Sequence, residues 1–241
     1  MGLLEPLILD QIGQQPVATA IVFTTTAYEA LHTPPLCHPA AMLHKKGVKV
    51  VSFDLPLHDQ QTPTYEGVKR WTNFIEKTGR DPLSPFLEQI QSWIEQQISD
   101  DMPLLLVGIS RGAFIAAHLS VRMKKNYPLI LFSPMLHLNY PWLFEQQALK
   151  PGWIQEYNLI CHINFLKNSP IFFSVGNNDE RTLTTDTIQF FQQLIDAKAI
   201  EQKRGSPLNL RVFPSIGMFG HGTPDDIFME GITWALKWIG H

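Results

Sequence analysis

Residues 104–120, LLLVGISRGAFIAAHLS, join a continuous apolar run to an amphipathic stretch through a short turn flanked by glycines. At the centre of this segment, GISRG at residues 108–112 matches the pattern G-x-S-x-G. The match alone is modest evidence, because average composition gives roughly 0.07 chance matches in a chain of this length. Its position is stronger evidence, since an apolar run typical of a buried strand comes directly before it and a predicted helix directly after it.

The strand–turn–helix setting explains why this turn needs its residue types. A turn this tight forces the serine into a strained backbone conformation, and side chains at the flanking positions would collide with the strand or the helix. We therefore expect Gly108 and Gly112 to be required sterically. Ser110 would then project its hydroxyl above a sheet, near the positive end of the helix dipole. The alternative is an ordinary strand–loop–helix connection, in which the glycines only make the turn easier to form and Ser110 has no catalytic role.

Short apolar runs alternate with amphipathic stretches along the rest of the chain. This pattern predicts an α/β fold, a three-layer α/β/α sandwich with a mostly parallel central sheet. Ser84 is the expected N-cap of the helix that begins there. The predicted strands are 17–24, 48–53, 103–108, 127–132, Ile171–Gly176 and Leu208–Phe213, and the predicted helices are 38–46, 65–77, 84–99, Arg111–Met123, Thr184–Ala199 and 225–239.

The 241 residues contain 44% hydrophobic and 17% charged side chains, which favours one folded domain over residues 1–241 rather than disorder. Residues 134–168 break the pattern, because they are rich in aromatic residues and leucine without a clean period. A long connection inside a compact domain is typically a lid or a binding loop. We therefore expect a cap at residues 134–168, with core packing beneath a long connection as the alternative.

Composition excludes several classes of protein. The net charge of −3 and the pI of about 6.3 give no electrostatic footprint for nucleic acid. The two cysteines, Cys37 and Cys161, supply neither a disulfide framework nor a zinc site. The first ten residues do not resemble a signal peptide, and no apolar run reaches the ~18 residues of a membrane span. We expect a cytoplasmic protein without stable membrane insertion, and the oligomeric state stays open.

A serine hydroxyl needs an adjacent base, which a third group must orient. Where G-x-S-x-G forms such a turn, the acid and then the histidine follow the serine along the chain. Asp179 follows the fifth predicted strand and His221 follows the sixth, so both lie beyond carboxyl ends of strands, as Ser110 does. The alternative for Asp179 is a turn-forming carboxylate, with Glu180 and Asp186 as neighbouring acids.

From its first predicted strand to its C-terminal helix, the chain resembles the α/β hydrolases. GISRGAFIAAHLS resembles the nucleophile turn and helix of bacterial dienelactone-hydrolase-like and prolyl-oligopeptidase-like carboxylesterases. FDLPLHD at residues 53–59 resembles the D-x-P-G-x-G loop, with Leu57 and His58 replacing small residues. VGNNDERT and GHGTPDD resemble the acid and histidine loops. The resemblance implies an α/β-hydrolase fold with a compact N-terminus, its first strands shortened to residues 3–10 or lost.

The sequence departs from this family after its first buried strand, where the usual His-Gly is absent and residues 23–28 are FTTTAY. An oxyanion hole needs backbone N–H donors rather than glycine as such. We therefore expect the amides of Arg111 and of either Thr25 or Thr26 to serve as donors.

The resemblance implies a serine esterase that cleaves a carboxylic ester of a small or acyl-chain substrate. Ser110, His221 and Asp179 would act through an acyl-enzyme intermediate, without a metal or an organic cofactor. The alternatives are a serine peptidase acting on small peptides and an inactive hydrolase fold used for binding. The candidates for the substrate pocket are Tyr28, His58, Met135 and Trp142.

Overall fold

A seven-stranded sheet runs through the protein in the computed structural model, which describes residues 5–58, 67–140, 151–201 and 207–239. The strands are β1 (Leu7–Leu9), β2 (Ala18–Phe23), β3 (Val48–Ser52), β4 (Leu104–Ile109), β5 (Leu129–Phe132), β6 (Ile171–Gly176) and β7 (Leu208–Phe213). Their order in the sheet is β1-β3-β2-β4-β5-β6-β7. Among these strands, only the edge strand β1 is antiparallel to its neighbour.

Helices cover both faces of the sheet, which confirms the predicted three-layer architecture. Successive residues of β4 alternate between two apolar clusters, since Leu106 belongs to the larger cluster and Val107 to the smaller one. The helices are α1 (Ala27–His32), α2 (His38–His44), α3 (Gly67–Thr78), α4 (Leu83–Gln97), α5 (Arg111–Met123), α6 (Pro151–Glu156), α7 (Ile163–Leu166), α8 (Thr184–Ala199) and α9 (Asp225–Ala235). The larger cluster contains residues of α3, α4, α5 and α8, and the smaller one contains residues of α1, α2 and α9.

The register of the parallel strands places their carboxyl ends at one edge of the sheet. Phe23 at the end of β2 is opposite Gly108, and Ile109 at the end of β4 is opposite Phe132. Phe132 is in turn opposite Ser174 near the end of β6. The loops that leave these strands therefore meet above the same edge.

Helix α1 is absent from the sequence prediction. Thr26 is its N-cap, and the Thr26 side chain accepts a hydrogen bond from the backbone N–H of Glu29 at 3.1 Å. The spacing Thr26-x-x-Glu29 is that of a capping box, which is the sequence signal that identifies such a helix start.

The prediction of Ser84 as an N-cap is wrong, because α4 begins one residue earlier. The carboxylate of Asp81 accepts hydrogen bonds from the N–H groups of Leu83 at 2.7 Å and of Ser84 at 3.2 Å. The Asp81 side chain thus satisfies the first donors of the helix. The Ser84 hydroxyl instead lies 2.8 Å from the hydroxyl of Tyr157.

Two predictions at the ends of segments have a mixed outcome. The N-terminal strand is shortened rather than lost, since β1 pairs with β3 over three residues. Residues 65 and 66, at the start of the second predicted helix, lie outside the described residues. In the described ranges, no helix is long and apolar enough to cross a membrane.

The described flanks of the expected cap, residues 134–140 and 151–168, contribute to the core. Tyr140 and Leu159 are buried in the larger apolar cluster, together with Met135, Leu136, Leu138, Tyr157 and Leu166. These flanks therefore pack against the rest of the domain, as the core-packing alternative expects. The central residues 141–150 lie outside the described residues, so the cap stays a prediction for that part of the chain.

Histidine 118 lies on α5 under these flanks. Its ring centroid is 4.4 Å from that of Phe114 and 5.5 Å from those of Tyr157 and His162. Burial first, and the nearby His162 second, lower the pKa of His118 to about 3. The imidazole of His118 is therefore neutral at physiological pH and acts as an aromatic packing group.

Lowering the pH from about 7 to about 5 should reduce the free energy of unfolding by roughly 2 kcal/mol through His118 alone. In the unfolded chain this histidine takes up a proton below its ordinary pKa of about 6.5, whereas the folded His118 stays neutral until the pH approaches about 3. Urea unfolding at the two pH values measures the loss, and His118→Phe should diminish it.

The exposed His32 offers the matched control, because His32→Gln changes a histidine on the surface rather than in the core. His32→Gln should retain the loss of stability that His118 causes at the lower pH. An equal pH dependence in His118→Phe would contradict the argument.

Candidate active site

Ser110 occupies the turn between β4 and α5 in a strained backbone conformation. Its φ of 57° and ψ of −117° lie outside the regions that non-glycine residues normally adopt. Three neighbours hold this conformation through hydrogen bonds. The Ser110 N–H donates to the carbonyl of Phe132 at 2.8 Å, and the Ser110 carbonyl accepts from the N–H groups of Ala113 and Met135, each at 3.1 Å.

The two glycines beside Ser110 confirm the steric expectation. A Cβ on Gly108 would lie 2.2 Å from the backbone nitrogen of Ala113. A Cβ on Gly112 would lie 1.9 Å from the carbonyl oxygen of Phe23. Both contacts are to backbone atoms that cannot rotate away, so the turn tolerates no side chain at either position.

Gly112→Ala should therefore destabilise the fold by about 3 kcal/mol or more, because the added methyl group must push α5 away from β2. Denaturant unfolding and the yield of soluble protein measure the effect. Gly152→Ala in α6 is the matched control, since a Cβ there meets no atom within 4 Å. Wild-type stability in Gly112→Ala would refute the steric argument.

A buried hydrogen bond joins the predicted acid to the predicted base. His221 Nδ1 lies 2.7 Å from Asp179 Oδ2, and Asp179 is 3% exposed. The other carboxylate oxygen of Asp179 accepts from the N–H groups of Arg181 at 2.9 Å and Thr182 at 3.0 Å. Burial by itself would raise the pKa of Asp179, but the bond and charge of His221 and these N–H groups hold that pKa below its ordinary value.

This pairing leaves the second ring nitrogen of His221 available for chemistry. A charged Asp179 favours the tautomer with the proton on Nδ1, so that Nε2 carries a lone pair. Among the described residues, Nε2 of His221 is buried and has no hydrogen-bond partner.

The loops that carry Asp179 and His221 are fastened to each other. The Asn178 N–H donates to Ser215 Oγ at 2.7 Å, and the Ser215 N–H donates to Asn177 Oδ1 at 3.0 Å. Gly220 has a φ of +72°, and a Cβ there would lie 2.1 Å from the Asn178 carbonyl oxygen. The glycine before His221 is thus needed for the close approach that brings the histidine to the acid.

A pocket of about 330 Å³ contains both Ser110 and His221. It lies at the carboxyl edge of the sheet, where open α/β sheets bind their ligands. Two arginines and three apolar residues belong to its lining. The other lining residues are Thr24, Thr25, Leu36, Ile109, Arg111, Arg181 and Met218.

The two threonines expected near the oxyanion differ in position. Thr25 lines the pocket, whereas Thr26 is the N-cap of α1 and lies outside the lining. The hydroxyl of Thr25 donates to Glu29 Oε2 at 2.5 Å.

Hydrogen bonds from the loop after β3 hold the backbone around Thr25. The Leu55 N–H donates to the Thr25 carbonyl at 2.8 Å, and the Ala27 N–H donates to Asp54 Oδ1 at 2.7 Å. Sequence reasoning noticed the resemblance of this loop to the family pattern but missed the contact of Asp54. The sequence feature that could have indicated this contact is an acidic residue two positions after a predicted buried strand.

The structure does not bring together the three pocket candidates that it describes, Tyr28, His58 and Met135. Tyr28 is 49% exposed on α1, and the Met135 side chain is buried in the core at 1% exposure. His58 lines a separate pocket and donates a hydrogen bond from Nδ1 to the Pro56 carbonyl at 2.9 Å. Trp142 lies outside the described residues.

Sequence reasoning missed five residues of the lining: Thr24, Leu36, Ile109, Arg181 and Met218. Two of them lie close in sequence to the predicted acid or the predicted base. Arg181 follows Asp179 by two residues, and Met218 precedes His221 by three.

Solved structures similar to this chain identify its fold. TT1662 from Thermus thermophilus has a TM-score of 0.70 and 17% identity, covering 99% of this chain and 98% of its own. Est1E from Butyrivibrio proteoclasticus, with ferulic acid bound, has a TM-score of 0.66 and 14% identity, covering 99% and 96%. XC6422 from Xanthomonas campestris, an α/β serine hydrolase without a lid, has a TM-score of 0.56 and 16% identity, covering 99% and 90%. The expected α/β-hydrolase fold is confirmed.

The family follows from the sequence itself. Residues 46–225 match the model of the esterase family whose description reads "Putative esterase", and the match spans most of the chain. The chain belongs to this family, and the protein is a hydrolase. A search of curated proteins finds no significant match.

Proposed function

We propose that the protein is a serine esterase, with Ser110 as nucleophile, His221 as general base and Asp179 as the acid that orients the base. The observation that carries this proposal is the 2.7 Å hydrogen bond between His221 and Asp179, because His221 lines a pocket together with the strained Ser110. A nucleophile and a base in one pocket, with an acid that orients the base, are the parts that acyl transfer needs.

The proposed reaction has two steps. Ser110 Oγ attacks the ester carbonyl carbon while His221 Nε2 takes the hydroxyl proton, and the resulting tetrahedral oxyanion collapses as His221 protonates the leaving alcohol. A water molecule then attacks the acyl-enzyme by the same route and releases the carboxylic acid. Asp179 stabilises the imidazolium that forms in each step.

For the oxyanion hole we favour the backbone amides of Arg111 and Thr25. Arg111 begins α5, where the N–H groups of a helix lack intrahelical acceptors and carry partial positive charge. Thr25 supports the second donor better than Thr26, because Thr25 lines the pocket. Asp54 and Leu55 are positioning residues, since they fix the backbone on both sides of Thr25–Thr26.

The size and lining of the pocket support a small ester. A volume of about 330 Å³ suits a compact acyl or aryl group, and Leu36, Ile109 and Met218 offer it apolar contacts. The cap expected at residues 134–168 remains part of the proposal as a cover for this site, and its central residues 141–150 lie outside the described residues.

A fluorophosphonate probe should label the native protein once, on the peptide that contains Ser110, because an activated serine attacks phosphorus as it attacks a carbonyl. Intact and peptide mass spectrometry locate the adduct, and Ser110→Ala should abolish it. Absence of labelling in a sample shown to be folded would contradict the proposal and favour an inactive hydrolase fold that binds ligands.

Asp179→Asn should lower kcat/KM for a short-chain aryl ester by roughly 10²- to 10⁴-fold, since an amide neither stabilises the imidazolium nor favours the productive tautomer. Asp186→Asn is the matched control. Asp186 lies seven residues further on and contacts His137 at 3.1 Å, so its variant should retain near wild-type kcat/KM. A larger loss in Asp186→Asn than in Asp179→Asn would reassign the acid.

A further inference from the structure

Thr182 contacts the predicted acid with both its backbone and its side chain. The Thr182 N–H donates to Asp179 Oδ1 at 3.0 Å, and the Thr182 hydroxyl donates to Asp179 Oδ2 at 3.1 Å. Oδ2 is also the oxygen that lies 2.7 Å from His221 Nδ1. Thr182 is 1% exposed and Asp179 is 3% exposed, so water competes little for these hydrogen bonds.

The Thr182 hydroxyl acts on the orientation of the carboxylate. Oδ1 of Asp179 accepts hydrogen bonds from two backbone N–H groups, and Oδ2 faces both the Thr182 hydroxyl and His221. Rotation about the Cβ–Cγ bond of Asp179 moves both oxygens, so it would weaken the bonds on both sides of the carboxylate. The plane of the carboxylate is therefore held toward the imidazole, as a catalytic group needs from its neighbours.

A buried tyrosine holds Thr182 from another side. The Tyr140 hydroxyl donates to the Thr182 carbonyl at 3.3 Å and accepts from the N–H of Leu136 at 3.2 Å. Burial raises the pKa of Tyr140 above its ordinary value, so its hydroxyl keeps the proton that it donates throughout the neutral pH range. The position of the Thr182 backbone thus depends on a side chain from a different loop.

The segment that carries Tyr140 is also attached to the turn of the nucleophile. Residues 133–140 follow β5 directly, and the N–H of Met135 donates to the Ser110 carbonyl at 3.1 Å. The same segment reaches the loop of Asp179 through the hydroxyl of Tyr140. Residues 133–140 therefore set the acid loop relative to the nucleophile turn.

We propose that Thr182 and Tyr140 are positioning residues for the reaction, with the Thr182 hydroxyl fixing Asp179 against His221 and the Tyr140 hydroxyl fixing Thr182. Neither residue belongs to the lining of the pocket in the described part of the chain, so both act through Asp179 and not on the ester. Their effect falls on the steps in which His221 becomes an imidazolium, because the orientation of the carboxylate matters most there. This assignment rests on the proposed esterase function and adds the groups that orient its acid.

Thr182→Val tests the hydroxyl, because valine keeps the branched shape of threonine without the donor. This variant should lower kcat for para-nitrophenyl acetate roughly tenfold, the range for a hydrogen bond to a charged group, and leave KM within about twofold of the wild type. Thr182→Ser restores the donor and should recover at least about half of the wild-type kcat. A kcat in Thr182→Val within about twofold of the wild type, or an equal loss in Thr182→Ser, overturns the assignment.

Tyr140→Phe tests the second hydroxyl and should lower kcat roughly threefold or more, again with little change in KM. Tyr157→Phe is the matched control, since Tyr157 is also a buried tyrosine on a flank of the expected cap, and its hydroxyl contacts Asp81 and Ser84 instead of the acid loop. Tyr157→Phe should keep the wild-type kcat even where urea unfolding shows a loss of stability. Equal kcat values in the two variants would remove Tyr140 from the assignment.

The fluorophosphonate probe separates a failure of this assignment from a failure of the proposed function. If the probe does not label Ser110 in folded wild-type protein, the esterase proposal fails and the positioning roles fail with it. If the wild type is labelled and Thr182→Val is labelled at the same rate, only the positioning assignment is overturned. The expected result is slower labelling in Thr182→Val and near wild-type rates in Thr182→Ser and Tyr157→Phe.

Discussion

The approach of Gly112 to the carbonyl of Phe23 is the contact on which the rest of the site depends. Because neither glycine beside Ser110 has a Cβ, the first turn of α5 lies directly against the ends of β2 and β4. Arg111 and Thr25 line one pocket with Ser110. The parallel register of β6 and β7 brings the Asp179 and His221 loops to the same edge. One steric constraint and one strand register thus organise parts that come from four separate loops.

Much of the fold could be predicted because the central strands β2, β4, β5 and β6 are continuous buried runs, although the edge strand β7 is only partly buried. Ile171–Gly176, Leu208–Phe213, Arg111–Met123 and Thr184–Ala199 have the bounds that the sequence indicates. Helix α1 was missed because six residues are too few to show a period. The start of α4 was misplaced because the acceptor of its first N–H groups lies upstream, at Asp81, beyond a proline.

The candidate site likewise has a part that could be predicted from the sequence and a part that could not. Ser110, Asp179 and His221 were accessible to sequence reasoning because each follows a predicted strand in the chain order that acyl-transfer chemistry uses. The pocket lining was not, since it depends on how irregular loops fold. In α1, Ala27, Ala30 and Leu31 face the core, which leaves Tyr28 exposed to solvent. The aromatic side chain of Tyr28 suggested that this residue lines the pocket. The orientation of α1 relative to the core instead places Tyr28 at the surface.

The hydrogen bonds from Asp54 and Leu55 have a consequence for how relatives of this chain are recognised. The backbone at residues 24–26 follows its path because a neighbouring loop holds it, and not because its own residues have unusual conformational freedom. Such a segment can change its side chains over evolutionary time while its shape persists. Searches for related proteins should therefore give more weight to an aspartate two residues after the second parallel strand than to any fixed motif in the segment it supports.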